Sequence, residues 1–99
     1  MARRIRYHPL FDCDVIGAAN WYDDRSPGRG DAFTTNVRLA VEAAIVDPMR
    51  HSRTPLGLHY YRVDRFPYYV LYHVAVDQQL FVGVLHTSRS IKKWFQDRG

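Results

Sequence analysis

The spacing of apolar residues changes once along the 99-residue chain, near Pro48, and this change limits the folds that the chain can adopt. Before Pro48, apolar side chains recur every three or four residues, which is typical of helices with one buried face. After it, apolar residues form short runs rich in valine, tyrosine and leucine, which is the pattern of strands. The sequence therefore predicts one α+β domain over residues 1–99.

Two helices are predicted before Pro48. The apolar face of the first consists of Phe11, Val15, Ala18 and Tyr22. This spacing predicts a helix from about residue 9 to residue 24. A second helix is predicted to start near Asp31, a suitable N-cap residue, and to end before Pro48, because proline disfavours helix in the residue that precedes it. The short turn at 26–30 predicts that the two helices form an antiparallel hairpin.

Four strands are predicted around this hairpin. Residues 3–8 alternate in polarity and predict an N-terminal strand. The runs 58–65, 68–76 and 80–86 predict a three-stranded antiparallel meander, with a polar turn at 77–79. We expect one sheet with the helices on one face and the other face partly open. The tail after the last strand is compatible with either a short helix or an extended arm.

The two halves of the chain differ in charge. Residues 1–47 carry six basic and seven acidic side chains, whereas residues 48–99 carry eight basic and three acidic ones. A basic half favours an anionic partner, either nucleic acid or an acidic protein segment, although it is also compatible with a solvated basic surface. The basic side chains expected to gather on the open face of the sheet are Arg62, Arg65, His73 and His86.

Cysteine and histidine usage excludes some kinds of site. Cys13 is the single cysteine, so no intrachain disulfide can form, and a reducing cytoplasm fits. Its apolar neighbours predict a buried Cys13. The histidines show no metal-binding spacing, so neither metal nor cofactor is predicted. No apolar run reaches the ~20 residues that span a bilayer, and no membrane partner is expected.

Two blocks of the second half resemble those of RelE/ParE toxins. Residues 61–72 combine an arginine, an aromatic–proline turn and a tyrosine–aliphatic–tyrosine strand, and residues 81–89 form an aliphatic strand that ends in His86, with Trp94 following. The order of the elements matches as well. The resemblance implies a cytoplasmic toxin of a type II toxin–antitoxin module, associated with growth arrest and plasmid stabilization. It also implies oligomers formed with a cognate antitoxin, whose extended and helical C-terminal segment wraps the toxin.

The RelE-like members of this superfamily are ribosome-dependent mRNA endonucleases that need no metal. In that case His86 would be the acid/base and Arg65 and Arg89 would bind phosphate, with Arg62 or Lys93 assisting. RNA-cleaving relatives often carry a tyrosine near the C-terminus. This chain has none after Tyr72, which counts against cleavage.

The ParE-like members are non-enzymatic inhibitors of DNA gyrase, and they need a recognition surface but no acid/base set. The expected partner-binding residues are Arg62, Arg65, Arg89, Lys93, Trp94 and Phe95. Tryptophan and arginine are frequent hot spots in such surfaces. The missing C-terminal tyrosine favours gyrase inhibition over RNA cleavage. A third hypothesis is a non-toxic member of the family that acts only within a complex.

Overall fold

The computed structural model describes residues 3–51 and 53–98, which form a strand, two helices, three further strands and a C-terminal helix. The elements are β1 (Arg4–Tyr7), α1 (Phe11–Arg25), α2 (Arg29–Val46), β2 (His59–Arg62), β3 (Tyr68–Val74), β4 (Gln78–His86) and α3 (Ile91–Arg98). The predicted α+β architecture is confirmed, and the tail proves to be a helix. Within the described residues no helix is both long enough and apolar enough to cross a membrane.

The sheet has the strand order β1–β4–β3–β2. As predicted, β2, β3 and β4 form an antiparallel meander, and a register shift lies at Leu71/Tyr72. β1 lies at the edge beside β4 and runs parallel to it, which is possible because the helical hairpin provides a crossover long enough to join parallel strands. β1 pairs only with Gln78–Phe81. In the described residues, the second half of β4 therefore meets no strand on that side.

Two local predictions are wrong. The predicted polar turn at 77–79 is too long, because β4 already begins at Gln78. The side chain of Gln79 is fully buried under α2, so a polar residue here serves the core and does not end the strand. The second helix begins at Arg29 and follows Gly28, whose φ of 89° is readily adopted by glycine, so Asp31 lies in the first turn and is not the N-cap.

The core lies between the helical hairpin and one face of the sheet. From α2, Phe33, Val37 and Ala44 point into it, and all three are buried. The Phe33 ring lies edge-on to Phe66, with ring centroids 5.1 Å apart. The ring of Tyr22 from α1 lies 4.8 Å from Phe66. Because such edge-to-face pairs add to the gain from burial, this aromatic cluster fixes how the hairpin sits on the sheet.

Two tyrosines hold the chain where it leaves α2. The Tyr61 hydroxyl donates to the Asp47 carbonyl at 2.9 Å, and the Tyr72 hydroxyl donates to the Pro48 carbonyl at 2.8 Å. Both carbonyls lie directly after the end of α2, and that of Asp47 also accepts a hydrogen bond from the Arg50 amide at 3.4 Å. They also tie α2 to β2 and β3.

Replacing Tyr72 by phenylalanine is expected to lower the free energy of unfolding by about 1 kcal/mol at neutral pH, the usual value of one hydrogen bond. Burial, the nearby Tyr61 and the nearby Asp47 raise the pKa of Tyr72 above its ordinary value of 10.0. Because the raised pKa belongs to the folded chain, this contribution is complete below pH 10 and is lost as the pH rises above it. The free energy of unfolding, measured with urea at a series of pH values above 10, should therefore fall less steeply with rising pH for Tyr72→Phe than for the wild type. An equally steep fall in the free energy of unfolding of both proteins would contradict this.

Candidate functional site

The unpaired half of strand β4 is closed by two side chains instead of a strand. Asp14 of α1 accepts a hydrogen bond from the Val84 amide at 3.0 Å, and Arg98 of α3 donates to the Val82 carbonyl at 3.5 Å. The two side chains also form an ion pair, with Arg98 Nη2 2.8 Å from Asp14 Oδ1, and they are only 9% and 15% exposed. The pair thus takes over the hydrogen-bonding role of a neighbouring strand and joins both helices to β4.

A glycine allows α3 to lie close to this edge. A Cβ atom built on Gly83 would lie 2.5 Å from Asp14 Oδ2 and 2.5 Å from Cζ2 of Trp94, far inside van der Waals contact. The Arg98 guanidinium lies 4.6 Å from the centre of the Trp94 ring. The absence of a side chain at Gly83 therefore makes room for the tryptophan that docks α3 on β4.

A groove of about 930 Å³ runs between α1 and α3, and the end of β4 forms its floor. Its main lining residues are Leu10, which directly precedes α1, then Cys13, Gly17 and Trp21 from α1, Tyr68 and His86 from the sheet, and Arg89, Lys93, Trp94 and Asp97 from the C-terminal segment. The position of Gly17 faces open space, and Trp21 remains 49% exposed. Cys13 is exposed on this wall, so its predicted burial is wrong, because the outer side of α1 faces the groove and not the core.

One end of the groove gathers hydrogen-bond donors. The ring of Tyr68 lies edge-on to His86, with ring centroids 5.1 Å apart, and 6.3 Å from the ring of Tyr22. Burial raises the pKa of Tyr68, as does Tyr22, while Arg89 lowers it. Burial likewise raises the pKa of Tyr22 against the lowering effect of Arg29. Both phenols therefore stay protonated at neutral pH, so their hydroxyls can act as hydrogen-bond donors.

The hydrogen bonding of His86 determines which proton it can offer. Its Nδ1 accepts a hydrogen bond from the Ser88 amide at 3.0 Å. In the neutral ring the proton must then lie on Nε2, because Nδ1 is already used as an acceptor. Neutral His86 is thus a donor at Nε2 and has no free acceptor for a substrate proton.

The structure brings together some of the predicted site residues and separates others. His86, Arg89, Lys93 and Trp94 all line the groove. Arg65 is instead exposed in the turn between β2 and β3, at φ 67°, with its Nε 4.0 Å from Asp64.

Two further predicted residues also lie outside the groove lining. Paired residues on neighbouring strands share a face, so Arg62 lies on the face of Tyr69 and His86 on the face of Tyr68. Successive residues of a strand point to opposite faces, so Tyr68 and Tyr69 differ in face. Arg62 and His86 therefore lie on opposite faces of the sheet. Phe95 is half-buried on α3 but does not line the groove. The expected gathering of Arg62, Arg65, His73 and His86 on one face does not occur.

Several residues of this site were not predicted from the sequence. Tyr22 and Tyr68 follow the apolar patterns of their elements and look like ordinary core residues. Asp14 looks like a favourable acid in a first helical turn, although it pairs with a residue 84 positions away. Within the described part of the chain, no group of three His, Cys, Asp or Glu side chains could hold a metal ion.

Comparison with known proteins gives this fold and groove a family. The sequence matches the family described as the ParE toxin of the type II toxin–antitoxin system, parDE, over residues 5–91. A solved chain of the chromosomal ParDE toxin–antitoxin system from P. aeruginosa has the same fold, with a TM-score of 0.73, 10% identity, and coverage of 85% of this chain and 95% of that chain. No curated protein matches.

The chain is therefore a RelE/ParE superfamily toxin. Within the superfamily, it belongs to the ParE toxin family of type II toxin–antitoxin systems. Membership of this family implies an antitoxin partner.

Proposed function

We propose that this toxin inhibits DNA gyrase without catalysing a reaction, and that its cognate antitoxin neutralises it in the cytoplasm. The family match supports this, because ParE-like toxins are expected to act on gyrase. The observation that carries the proposal is the groove, which gathers recognition side chains but does not assemble the predicted acid/base set.

A metal-independent RNA cleavage would need a base for the 2′-hydroxyl and cations around the phosphate. The predicted set was His86, Arg65 and Arg89. Neutral His86 is oriented as a donor by Ser88, and Arg65 lies outside the groove with its side chain 83% exposed. Binding through Arg89, Lys93 and the tryptophans requires none of that catalytic geometry.

Charge reversal on the groove rim should weaken gyrase inhibition. Arg89 and Lys93 are both exposed, so replacing both by glutamate should leave the fold intact and require at least about tenfold more toxin for half-inhibition, the effect of losing a hot spot. The measurement is plasmid supercoiling by purified gyrase, with accumulation of cleaved plasmid as a second readout. Arg50→Glu/Arg53→Glu, at two exposed positions between α2 and β2, is the matched control because it also reverses two charges, and it should behave as the wild type.

Induction in cells separates the alternatives. Early DNA breaks and the SOS response with intact mRNA, prevented by co-expression of the antitoxin, are the expected result. Early cleavage of translated mRNA with intact DNA would refute the gyrase proposal and favour an endonuclease. Normal growth despite folded toxin in the cells would favour a member that acts only within a complex.

A further inference from the structure

We propose that two copies of this chain pair through the groove, with α1 of each copy lying antiparallel to α1 of the other about a two-fold axis near Gly17. This goes beyond the proposed function, because the pairing needs no gyrase. A second copy seated in the groove would also exclude any other partner of the toxin from it.

The α1 wall of the groove carries apolar side chains along one line. Leu10, Cys13, Gly17 and Trp21 line the groove and recur at spacings of three or four residues, so they follow one side of the helix from its start. Leu10 is 46% exposed and Trp21 is 49% exposed, although both are large and apolar. A continuous line of exposed apolar groups on a small domain indicates an interaction surface.

This line is complementary to itself in shape. Trp21 projects from it, whereas a Cβ atom built on Gly17, one helical turn earlier, would meet nothing within 4 Å. An antiparallel copy of α1 centred on Gly17 brings each Trp21 opposite the partner's Cys13 and beside the open space at the partner's Gly17. A two-fold axis therefore uses the same projection and the same space twice, which is the form of a closed dimer interface.

The groove is positively charged at the C-terminal end of α1. Arg25 lies in the last turn of that helix. Arg89 lies at the same end, since its charge acts on Tyr68, whose ring is 6.3 Å from the ring of Tyr22. The exposed Asp24 offsets one of these two cations, so one cation remains in excess.

The opposite end of the groove carries a carboxylate. Arg98 pairs with Asp14 at 2.8 Å, so these two charges cancel, and Asp97 lies beside them in the groove lining. Lys93, one helical turn before Asp97, offsets part of its charge. An antiparallel copy brings the cationic end of each groove to the partner's Asp97, and the dipoles of the two α1 helices also oppose each other. The charges therefore favour an antiparallel second copy over a parallel one.

Sedimentation velocity of the purified toxin measures the pairing. The toxin is examined over about a hundredfold range of concentration around ~1 μM, the weak end for specific interfaces. The sedimentation coefficient should rise with concentration from that of a monomer to that of a dimer. No larger species should follow, because a two-fold interface is closed.

Trp21→Ala should weaken the pairing at least about thirtyfold, the effect of losing a hot-spot side chain. Ile16→Ala is the matched control, because Ile16 is 58% exposed on the same helix but does not line the groove, and it should pair as the wild type does. Arg89→Glu and Asp97→Arg should each weaken the pairing severalfold. Their combination should restore it, because opposite charges then meet again at both ends.

Gly17→Leu separates pairing from folding. In a single copy the added side chain enters open space, and leucine favours helix more than glycine does, so the Tm of the monomer should not fall. In the pair the same side chain would fill the space beside the partner's Trp21. We therefore expect a folded toxin that remains a monomer.

Disulfide formation tests the register of the two helices. In a Cys13→Ser background, Gly17→Cys places both sulfur atoms near the axis, so mild oxidation should give a covalent dimer, whereas Ile16→Cys should not. The wild type should not crosslink through Cys13. Its two copies would lie four residues on either side of the axis, about 12 Å apart along the helices, beyond the ~7 Å that a disulfide spans between Cα atoms.

Four results would overturn the proposal. These are a monomer at every concentration, equal loss in Trp21→Ala and Ile16→Ala, an undiminished dimer in Gly17→Leu, and crosslinking through Cys13 or Ile16→Cys as ready as through Gly17→Cys. The outcome is separable from gyrase inhibition. Toxin that inhibits supercoiling but stays a monomer would refute only this proposal, and a dimer that leaves gyrase active after dilution to monomer would refute only the gyrase proposal.

Discussion

Asp14→Ala is expected to lower the free energy of unfolding by about 3 kcal/mol, because it leaves the charge of Arg98 buried without its partner. The Asp14 and Arg98 side chains are only 15% and 9% exposed, and the substitution also removes the acceptor of the Val84 amide. For a domain of this size, the loss corresponds to a fall in Tm of about 12 to 24 °C. Urea unfolding followed by circular dichroism measures the change.

A surface ion pair of the same chain provides the control. Arg38 and Glu42 are 3.9 Å apart on α2, and their side chains are 66% and 60% exposed. Because solvent screens such pairs, Glu42→Ala should cost no more than about 0.5 kcal/mol. A cost for Asp14→Ala as small as that for Glu42→Ala would show that the Asp14–Arg98 pair does not hold α3 against β4.

The double variant Asp14→Leu/Arg98→Leu separates the charges from the packing. Replacing a buried ion pair by apolar side chains is often neutral or even stabilising, whereas removing one partner is costly. We therefore expect the double variant to be more stable than either single variant. A loss equal to the sum of the two single losses would contradict a direct interaction between Asp14 and Arg98.

The helices and the meander could be predicted because their patterns are local. The three- and four-residue spacing around Val15 and Val37 is set by which side of a helix meets the core, and it depends on no distant residue. The position of β1 could not be predicted, because its four residues fit either edge of a sheet equally well. The polar pair Gln78–Gln79 is predicted as a turn because the sequence does not show the distant partner that the side chain of Gln79 binds. Only the folded chain shows that the Ala44 carbonyl lies above Gln79 and needs a donor.

The candidate site could be predicted only in part. His86, Arg89, Lys93 and Trp94 come from one segment after the last strand, so a sequence reading can group them. Trp21 lies more than sixty positions before His86, and only the parallel pairing of β1 with β4 brings α1 beside that segment. Local patterns therefore indicate the groove residues that follow the last strand, whereas the position of Trp21 beside them depends on the topology.

Gln79→Leu is expected to lower the free energy of unfolding by about 2 to 3 kcal/mol, since it preserves the volume of the side chain but leaves buried polar groups without partners. The Gln79 amide donates to the Ala44 carbonyl at 3.0 Å, and its oxygen accepts from Arg3 at 3.2 Å. Gln78→Leu is the control one residue earlier in β4, where the side chain is only half-buried, and it should change stability by less than about 0.5 kcal/mol.

Arg3 determines how the Gln79 result should be interpreted. Arg3 donates to the Ile45 carbonyl at 2.7 Å as well as to Gln79, so Arg3 and Gln79 together tie the end of α2 to the sheet. Because they share one hydrogen-bonded network, the losses from Arg3→Ala and Gln79→Leu should sum to more than the loss in the double variant. Strictly additive losses would mean that Gln79 acts through the Ala44 carbonyl alone. In that case, the contact between Arg3 and Gln79 would contribute nothing to holding α2 on the sheet.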